Sequence, residues 1–368
     1  MKAARPLVLL VSLFGMTAAL FSQGTPVNNA PDIARALAGL PPQSDPALMP
    51  LMQEPAWVQH ATSFESWWSH RPLEQIKKVS AWANEEMGAT YTSTAPAIYF
   101  YSGPDFLYLS AFFPNASTYV MCAKEPVGKI PSFDGISKEN LLPALTSLQK
   151  ACQSLFNFSF FITEDMKSDL RSAELSGVAP ILYVLMARTD KTIVKAEAVT
   201  LTSSGNIVRG NPDNPSGIRI DFTSGPGRPV QTLYYFSGDL SNSGLKANSG
   251  ILKFCKRLGP SNGFLKSDSY LLHMDEFSVS RNFLLDNCRV IVQDDAGIPL
   301  RYFPSKDWSV RVYGNYVGPI EIFKQFYQKD LADYYKASNP KALPFGMGYR
   351  WQAHDSAVMV AFRKSGKP

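Results

Sequence analysis

Residues 97–123 constrain the fold of this chain more than any other stretch. Ala97-Ile-Tyr-Phe-Tyr-Ser102 is an apolar, aromatic run of strand type that stops at Ser102-Gly-Pro-Asp105. Phe106-Leu-Tyr-Leu-Ser-Ala-Phe-Phe113 reads as a helix stopped by Pro114-Asn115. Ser117-Thr-Tyr-Val-Met-Cys-Ala123 is a second strand, ending at Lys124-Glu125-Pro126. Strand, turn, helix and strand in so short a span form a βαβ unit, whose two strands run parallel through a right-handed crossover. The expected class is α/β: a Rossmann-like, mostly parallel sheet with helices on both faces, antiparallel hairpins added, and an N-terminal helical segment.

The first pattern returns downstream. Thr232-Leu-Tyr-Tyr-Phe236 meets Ser237-Gly-Asp239, and a helix over Ile251–Leu258 follows. Between the two units, the continuous apolar run Ala179–Ala187 reads as a buried strand. Ile193–Leu201 and Ile218–Phe222 alternate as strands, and their polar, turn-rich gaps predict an antiparallel meander. Helical spacing marks Ile33–Leu40, Glu65–Met87 with Pro72 at its regular start, Leu141–Phe158, Asp165–Leu175 and Phe277–Leu285. Asn287–Gln293 and Ile298–Phe303 alternate around Asp294-Asp-Ala-Gly297, a hairpin signal. A second hairpin is expected from Tyr349–Trp351 and Ala357–Phe362, with one amphipathic helix over Ile320–Tyr335 between them. Ser269–Met274 reads as a short strand or helix.

The N-terminus predicts export. Lys2 and Arg5 precede an apolar run from Leu7 to Phe21. At about 15 residues this run is short for a membrane span, which needs roughly 20. Thr17-Ala18-Ala19 offers small residues to a signal peptidase. The expected organisation is a signal peptide over 1–22, a Pro-rich lead-in with an amphipathic helix over 23–95, and a single α/β domain over 96–368. The 36 Lys and Arg against 31 Asp and Glu give a formal charge of +5. Two of those cations leave with the signal. The remaining charge, without any Lys/Arg run, gives no footprint for nucleic acid. A hydrophobic share of 45% supports a large packed core. No transmembrane span is expected after the signal. Cys122, Cys152, Cys255 and Cys288 form an even set in an exported chain, so one disulfide and four free buried thiols are both open readings.

Ligands of open parallel sheets collect at the carboxyl ends of the strands, beside helix N-termini. If the two aromatic strands run side by side, Ser102, Gly103, Asp105, Ser237, Gly238 and Asp239 share one rim, and Glu125 ends the neighbouring strand. A Glu about 20 residues past a Gly-bearing turn is where nucleotide-binding βαβ units place a ribose acceptor. Asp105 and Asp239 also suit helix capping. His273 with Asp275 is a weaker candidate for general-base chemistry. Asp294-Asp295 supplies too few oxygens for calcium and suits a turn.

Residues 97–125 resemble the first βαβ unit of a class I methyltransferase-type Rossmann fold. The resemblance implies adenosylmethionine binding, with Gly103 at the turn and Glu125 on the ribose. The Gly-x-Gly turn of that family is here Ser102-Gly103-Pro104, with one glycine instead of two, and Pro104 removes a backbone donor. The chain as a whole resembles exported bacterial proteins, which implies a compartment and no activity. The residues name no cofactor and no protein partner by themselves. Three functional expectations stand: a small-molecule-binding or non-catalytic exported protein, an extracytoplasmic hydrolase using Ser102, Asp105 and Asp239, and a degenerate methyltransferase-like protein.

Overall fold

The computed structural model describes residues 29–157 and 174–364. The expected signal segment 1–22 and most of the expected helix 165–175 lie outside the described residues. The described chain opens with helices α1 (Ala30–Leu37), α2 (Pro55–His70), α3 (Pro72–Met87) and the short α4 (Ala89–Thr92). Proline stands at the first positions of α1, α2 and α3, where its missing N–H costs no helical bond.

Then come β1 (Ala97–Phe100), α5 (Phe106–Phe112), β2 (Thr118–Ala123), α6 (Lys138–Asn157) and α7 (Val178–Arg188). The meander β3 (Thr192–Leu201), β4 (Ile207–Arg209) and β5 (Gly217–Thr223) leads into β6 (Val230–Ser237). After it follow α8 (Asn242–Ala247), α9 (Gly250–Leu258), β7 (Ser261–Leu265), α10 (Ser278–Asn287) and β8 (Cys288–Gln293). The chain closes with β9 (Trp308–Gly314), α11 (Lys329–Ser338) and β10 (Ala357–Arg363).

The ten strands of the described residues join one sheet in the order β4-β3-β5-β6-β2-β1-β7-β8-β10-β9. The sheet is mixed. Its centre, β6-β2-β1-β7-β8, is parallel throughout. Antiparallel strands extend it on both sides: β5, β3 and β4 beyond β6, and β10 and β9 beyond β8. Numbered in chain order, the parallel strands run 3-2-1-4-5, a doubly wound arrangement that reverses direction between β1 and β7.

The alternation along each central strand explains why both faces are covered. Ala97 and Tyr99 point into one core and Ile98 and Phe100 into the other. Tyr119 and Met121 oppose Val120 and Cys122 in the same way. The first core is roofed by α1–α3 and α5–α7, the second by α8–α11. The N-terminal helices are thus packed onto the sheet's own core. Trp82 of α3 meets Tyr313, Phe345 and Phe112 edge-on at 4.8, 5.6 and 5.9 Å. Trp68 is 4% exposed, so both tryptophans serve packing.

Several local expectations are corrected. Ala179–Ala187 is not a strand but most of α7. This helix is buried on nearly every side, so no polar face breaks its apolar run and periodicity could not distinguish it. Glu65–Met87 is divided between α2 and α3 at Arg71. The Asp294–Gly297 turn exists, with Gly297 N–H donating to Asp294 O at 3.3 Å, but no hairpin follows. The Gln293 side chain occupies the place of a partner strand: its Oε1 accepts from Ile298 N at 2.9 Å and its Nε2 donates to Ile298 O at 2.6 Å. The neighbour of β8 is instead β10, whose apolar Ala-Val-Met-Val-Ala run suits a buried position. Tyr349–Trp351 forms no strand, so the second hairpin is absent and β10 pairs with β9.

The expected helix Ile320–Tyr335 is broken. A 3-10 turn over Glu321–Phe326 precedes α11, and extended Gln328 separates them. The Gln328 side chain is held by Leu300 N at 3.0 Å and Asp295 O at 3.1 Å. β7 and β9 were not expected at all. The four cysteines are free, buried thiols. Burial pushes Cys122 and Cys288 up to about 12, far from the thiolate range.

Trp82 joins α3 to α5 and β9, so its loss opens a cavity that aromatic neighbours on three elements cannot close. Trp82→Ala is expected to lower stability by about 3–5 kcal/mol in urea unfolding. A loss below about 1 kcal/mol would mean that α3 is not docked as described.

Candidate functional site

The aromatic segments preceding Gly103 and Gly238 lie in one sheet and point the same way, with β2 between them. Their carboxyl ends, with those of β2 and β7, open a cleft of about 200 Å³ at the point where the strand order reverses. Ser102, Gly103, Asp105, Glu125, Gly238 and Asp239 all line it. Ser237 does not. It faces a neighbouring depression beside Leu201 and Ser216.

The floor of the cleft is an ion pair. Asp105 Oδ1 accepts from Tyr108 N at 3.2 Å and caps α5. Its Oδ2 lies 2.5 Å from Lys266 Nζ, beyond the end of β7, and both side chains are almost fully buried. The ammonium also sits 3.9 Å from the centroid of the Tyr108 ring. Asp105 is therefore both cap and counter-ion. Asp239 is neither cap nor buried: Ser241 caps α8, while Asp239 Oδ1 accepts from Ser241 N at 2.9 Å and stands 3.7 Å from Lys124. The Ser241 N–H, more than the lysine, holds the Asp239 carboxyl below its ordinary value.

Buried tyrosine hydroxyls tether the loops around this floor. Tyr99 donates to Lys266 O at 3.2 Å, Tyr235 to Glu125 O at 3.0 Å, and Tyr349 to Ser267 O at 3.0 Å. Glu125 is 7% exposed. The chain just past it crosses the entry of α7 backbone to backbone, with Val178 N donating to Pro126 O at 3.0 Å. Only glycine fits that crossing: a Cβ on Gly128 would lie 1.8 Å from Ser176 O, and one on Gly177 would lie 2.4 Å from Gly128 N.

Backbone strain gathers here. Tyr101, Ser267, Ser269 and Tyr270 have φ of 61°, 53°, 56° and 56°, and only Asp190 and Asn339 share such values among the other described non-glycine residues. Each such residue costs about 1–3 kcal/mol and persists only where its surroundings hold it. Tyr101 is held by Ser280 Oγ, 2.5 Å from its hydroxyl.

Asp268 is the most unusual group of the cleft. It is 2% exposed, and no side chain hydrogen-bonds either of its oxygens. Burial first, then the charge of Asp294, push its carboxyl well above the ordinary range. The N–H groups of Tyr270 and Asp268 itself only soften this. Asp294 braces the loop from behind by accepting from Ser267 N at 2.9 Å and Ala296 N at 3.1 Å. Burial and the Asp295 charge push Asp294 up to about 7. Asp295 accepts from the Tyr270 hydroxyl at 2.7 Å.

The weaker candidates stay outside. His273 packs against Tyr270 and Phe326, and burial together with Arg301 depresses it to about 4, so it is neutral. Asp275 is exposed, 3.8 Å from Arg281. The Ser102 hydroxyl donates to Gly103 O at 2.9 Å, and no histidine is among the described residues lining the cleft. Sequence reasoning missed Lys266 and Asp268 because Ser261-Asn-Gly-Phe-Leu265 carries no strand pattern of its own, with polar residues and a glycine at its start. The available signal was the alternation of strand and helix usual in a doubly wound sheet, which asks for a strand between the expected helices Ile251–Leu258 and Phe277–Leu285.

Removing one member of a buried ion pair strands the other. Lys266→Met is expected to lower stability by about 3–5 kcal/mol, while the double variant with Asp105→Asn recovers much of the loss. Additive losses in urea unfolding would refute the pairing. A second expectation concerns pH. An acid with a raised folded pKa favours the folded state while it is protonated. The Asp294 contribution is therefore complete below about pH 4 and is lost as the pH climbs through about 7. Stability of Asp294→Asn should fall less across that window than that of the native chain. Equal slopes would exclude the assignment.

Against this geometry, no protein-family model matches the chain, and no curated protein or solved structure matches it.

Proposed function

We propose that this chain binds a small organic molecule of the nucleoside type in the cleft at the ends of β1, β2, β6 and β7. One observation carries the reading: the cleft lies where the strand order reverses, and there Gly103 and Glu125 stand together. Open α/β sheets collect ligands at that point. In this reading the Glu125 carboxylate accepts from the ribose hydroxyls, and Gly103, with φ of 49°, lets the backbone approach the ligand. This is the arrangement implied by the resemblance of residues 97–125 to a methyltransferase-type unit.

The reading is of binding and not of transfer. Pro104 occupies the place of the second glycine and offers no N–H. The hydrolase reading has less support, since the Ser102 hydroxyl is turned into Gly103 O and His273 does not line the cleft. Lys2, Arg5 and the apolar run to Phe21 support export, so the ligand is sought outside the cytoplasm. No helix among the described residues is long and apolar enough to cross a membrane.

Thermal unfolding with adenosine and with 2′,3′-dideoxyadenosine tests the reading, since a ligand of the native state raises the melting temperature. Adenosine is expected to stabilise the protein. Loss of the diol, or Glu125→Gln, should weaken binding by about tenfold or more, as hydrogen bonds to a buried charge do. Equal stabilisation by both nucleosides, or by neither, would overturn it.

A further inference from the structure

The charges of the cleft do not balance among themselves. Asp105 is matched by Lys266 at 2.5 Å, and exposed Asp239 has Lys124 at 3.7 Å. Asp268 has no cation: it is 2% exposed, it lines the cleft, and no side chain hydrogen-bonds either of its oxygens. The groups that reach it are acids and phenols. Asp294 and Asp295 face it from the exit of β8, Tyr99 and Tyr101 from β1, and Tyr349 from the C-terminal segment. The one cation of its own loop, Lys266, is engaged by Asp105 and Tyr108. An acid buried without a cation is expensive to ionise, and a bound cation is what removes the cost. The wall beside it suits such a guest. Tyr101 and Phe277 both line the cleft and meet edge to face at 5.8 Å. Aromatic rings attract an organic cation that has little hydration to lose.

We propose that the cleft takes the cationic end of its ligand, an organic ammonium, with Asp268 as counter-ion and Tyr101 and Phe277 as its aromatic wall. The inference rests on the reading of the cleft as a ligand site and adds the charge of the ligand to it. Strained backbone at Ser267 and Ser269 keeps Asp268 in place, with Ser267 N bound to Asp294 and Ser269 N bound to the Tyr349 hydroxyl at 3.0 Å.

Choline and its uncharged isostere 3,3-dimethyl-1-butanol share shape and differ in charge, so they isolate this claim. In calorimetric titration and thermal unfolding of the full chain, choline chloride is expected to bind saturably and raise the melting temperature beyond matched sodium chloride. The isostere should bind about tenfold more weakly or less. Asp268→Asn is expected to fold with unchanged or higher melting temperature, because a neutral amide replaces an acid that is buried without a cation, and to lose the choline response. Asp333→Asn, on the exposed side of α11, should keep it. Choline affinity should rise with pH, since the Asp268 carboxyl must shed its proton to pair. Equal binding of both probes, no binding of choline, or a choline response that survives in Asp268→Asn overturns the proposal. Should Asp268→Asn not fold, the comparison of the two probes on the native chain decides alone. Choline binding without adenosine binding would leave the cation site standing and remove the diol; the reverse result would do the opposite.

Discussion

The contact between Asp105 and Lys266 ties together the strand-end loops at the point where the two halves of the sheet, built in opposite directions, meet. From β1 the chain moves outward through β2 to the meander at the edge of the sheet and comes back to β6 beside β2. It then returns past β1 to lay down β7, β8 and the final pair. At the return point, neighbouring strands carry loops that leave toward opposite faces, and nothing in the ladder of backbone bonds ties those loops together. A carboxylate on the β1 loop and an ammonium past β7 do so, 2.5 Å apart and out of water. Such a pair is worth little as net stability, because desolvation offsets most of the attraction. Its value lies in specificity: either member alone is costly, so the loops are tolerated only in register.

The same logic extends outward from that floor. Tyr99, Tyr235 and Tyr349 each spend a buried hydroxyl on the carbonyl of a strand-end loop, and Asp294 gives its oxygens to loop N–H groups. Loops normally lie on the surface because their backbone polar groups need water. Here side chains from the sheet and the C-terminal segment replace that water. A crevice with buried walls can therefore exist at the reversal point, and it can keep residues such as Ser267 and Ser269 in a left-handed conformation. Asp268 lies among these loops without a cation or a side-chain hydrogen bond of its own.

Much of the site was legible in the residues of the first βαβ unit and in the repeat of an aromatic strand before Ser-Gly-Asp. Local pattern there coincides with the fold: apolar alternation, a glycine turn, an acidic residue before a helix. The same method failed for α7, where full burial erased the periodicity, and for the Asp294 turn, where a glutamine side chain took the place of a strand. It failed for β7 because Ser261-Asn-Gly-Phe-Leu265 carries no strand pattern of its own. That strand is central and covered on both faces, so its neighbours, and not its own composition, make it extended.

The sequence by itself determined the α/β class, the parallel direction of β1, β2 and β6, and the rim residues from Ser102 to Glu125 and from Gly238 to Asp239. Those follow from spacing along a continuous stretch, and short-range sterics enforce them. Only the tertiary structure decided which strand lies beside β1 and which charge meets Asp105. It also decided that Asp268 is buried without a cation beside it and that the four cysteines form no disulfide. Each of these depends on two segments far apart in the chain arriving at the same place. That arrival is set by the packing of both cores at once, and no local pattern of residues records it.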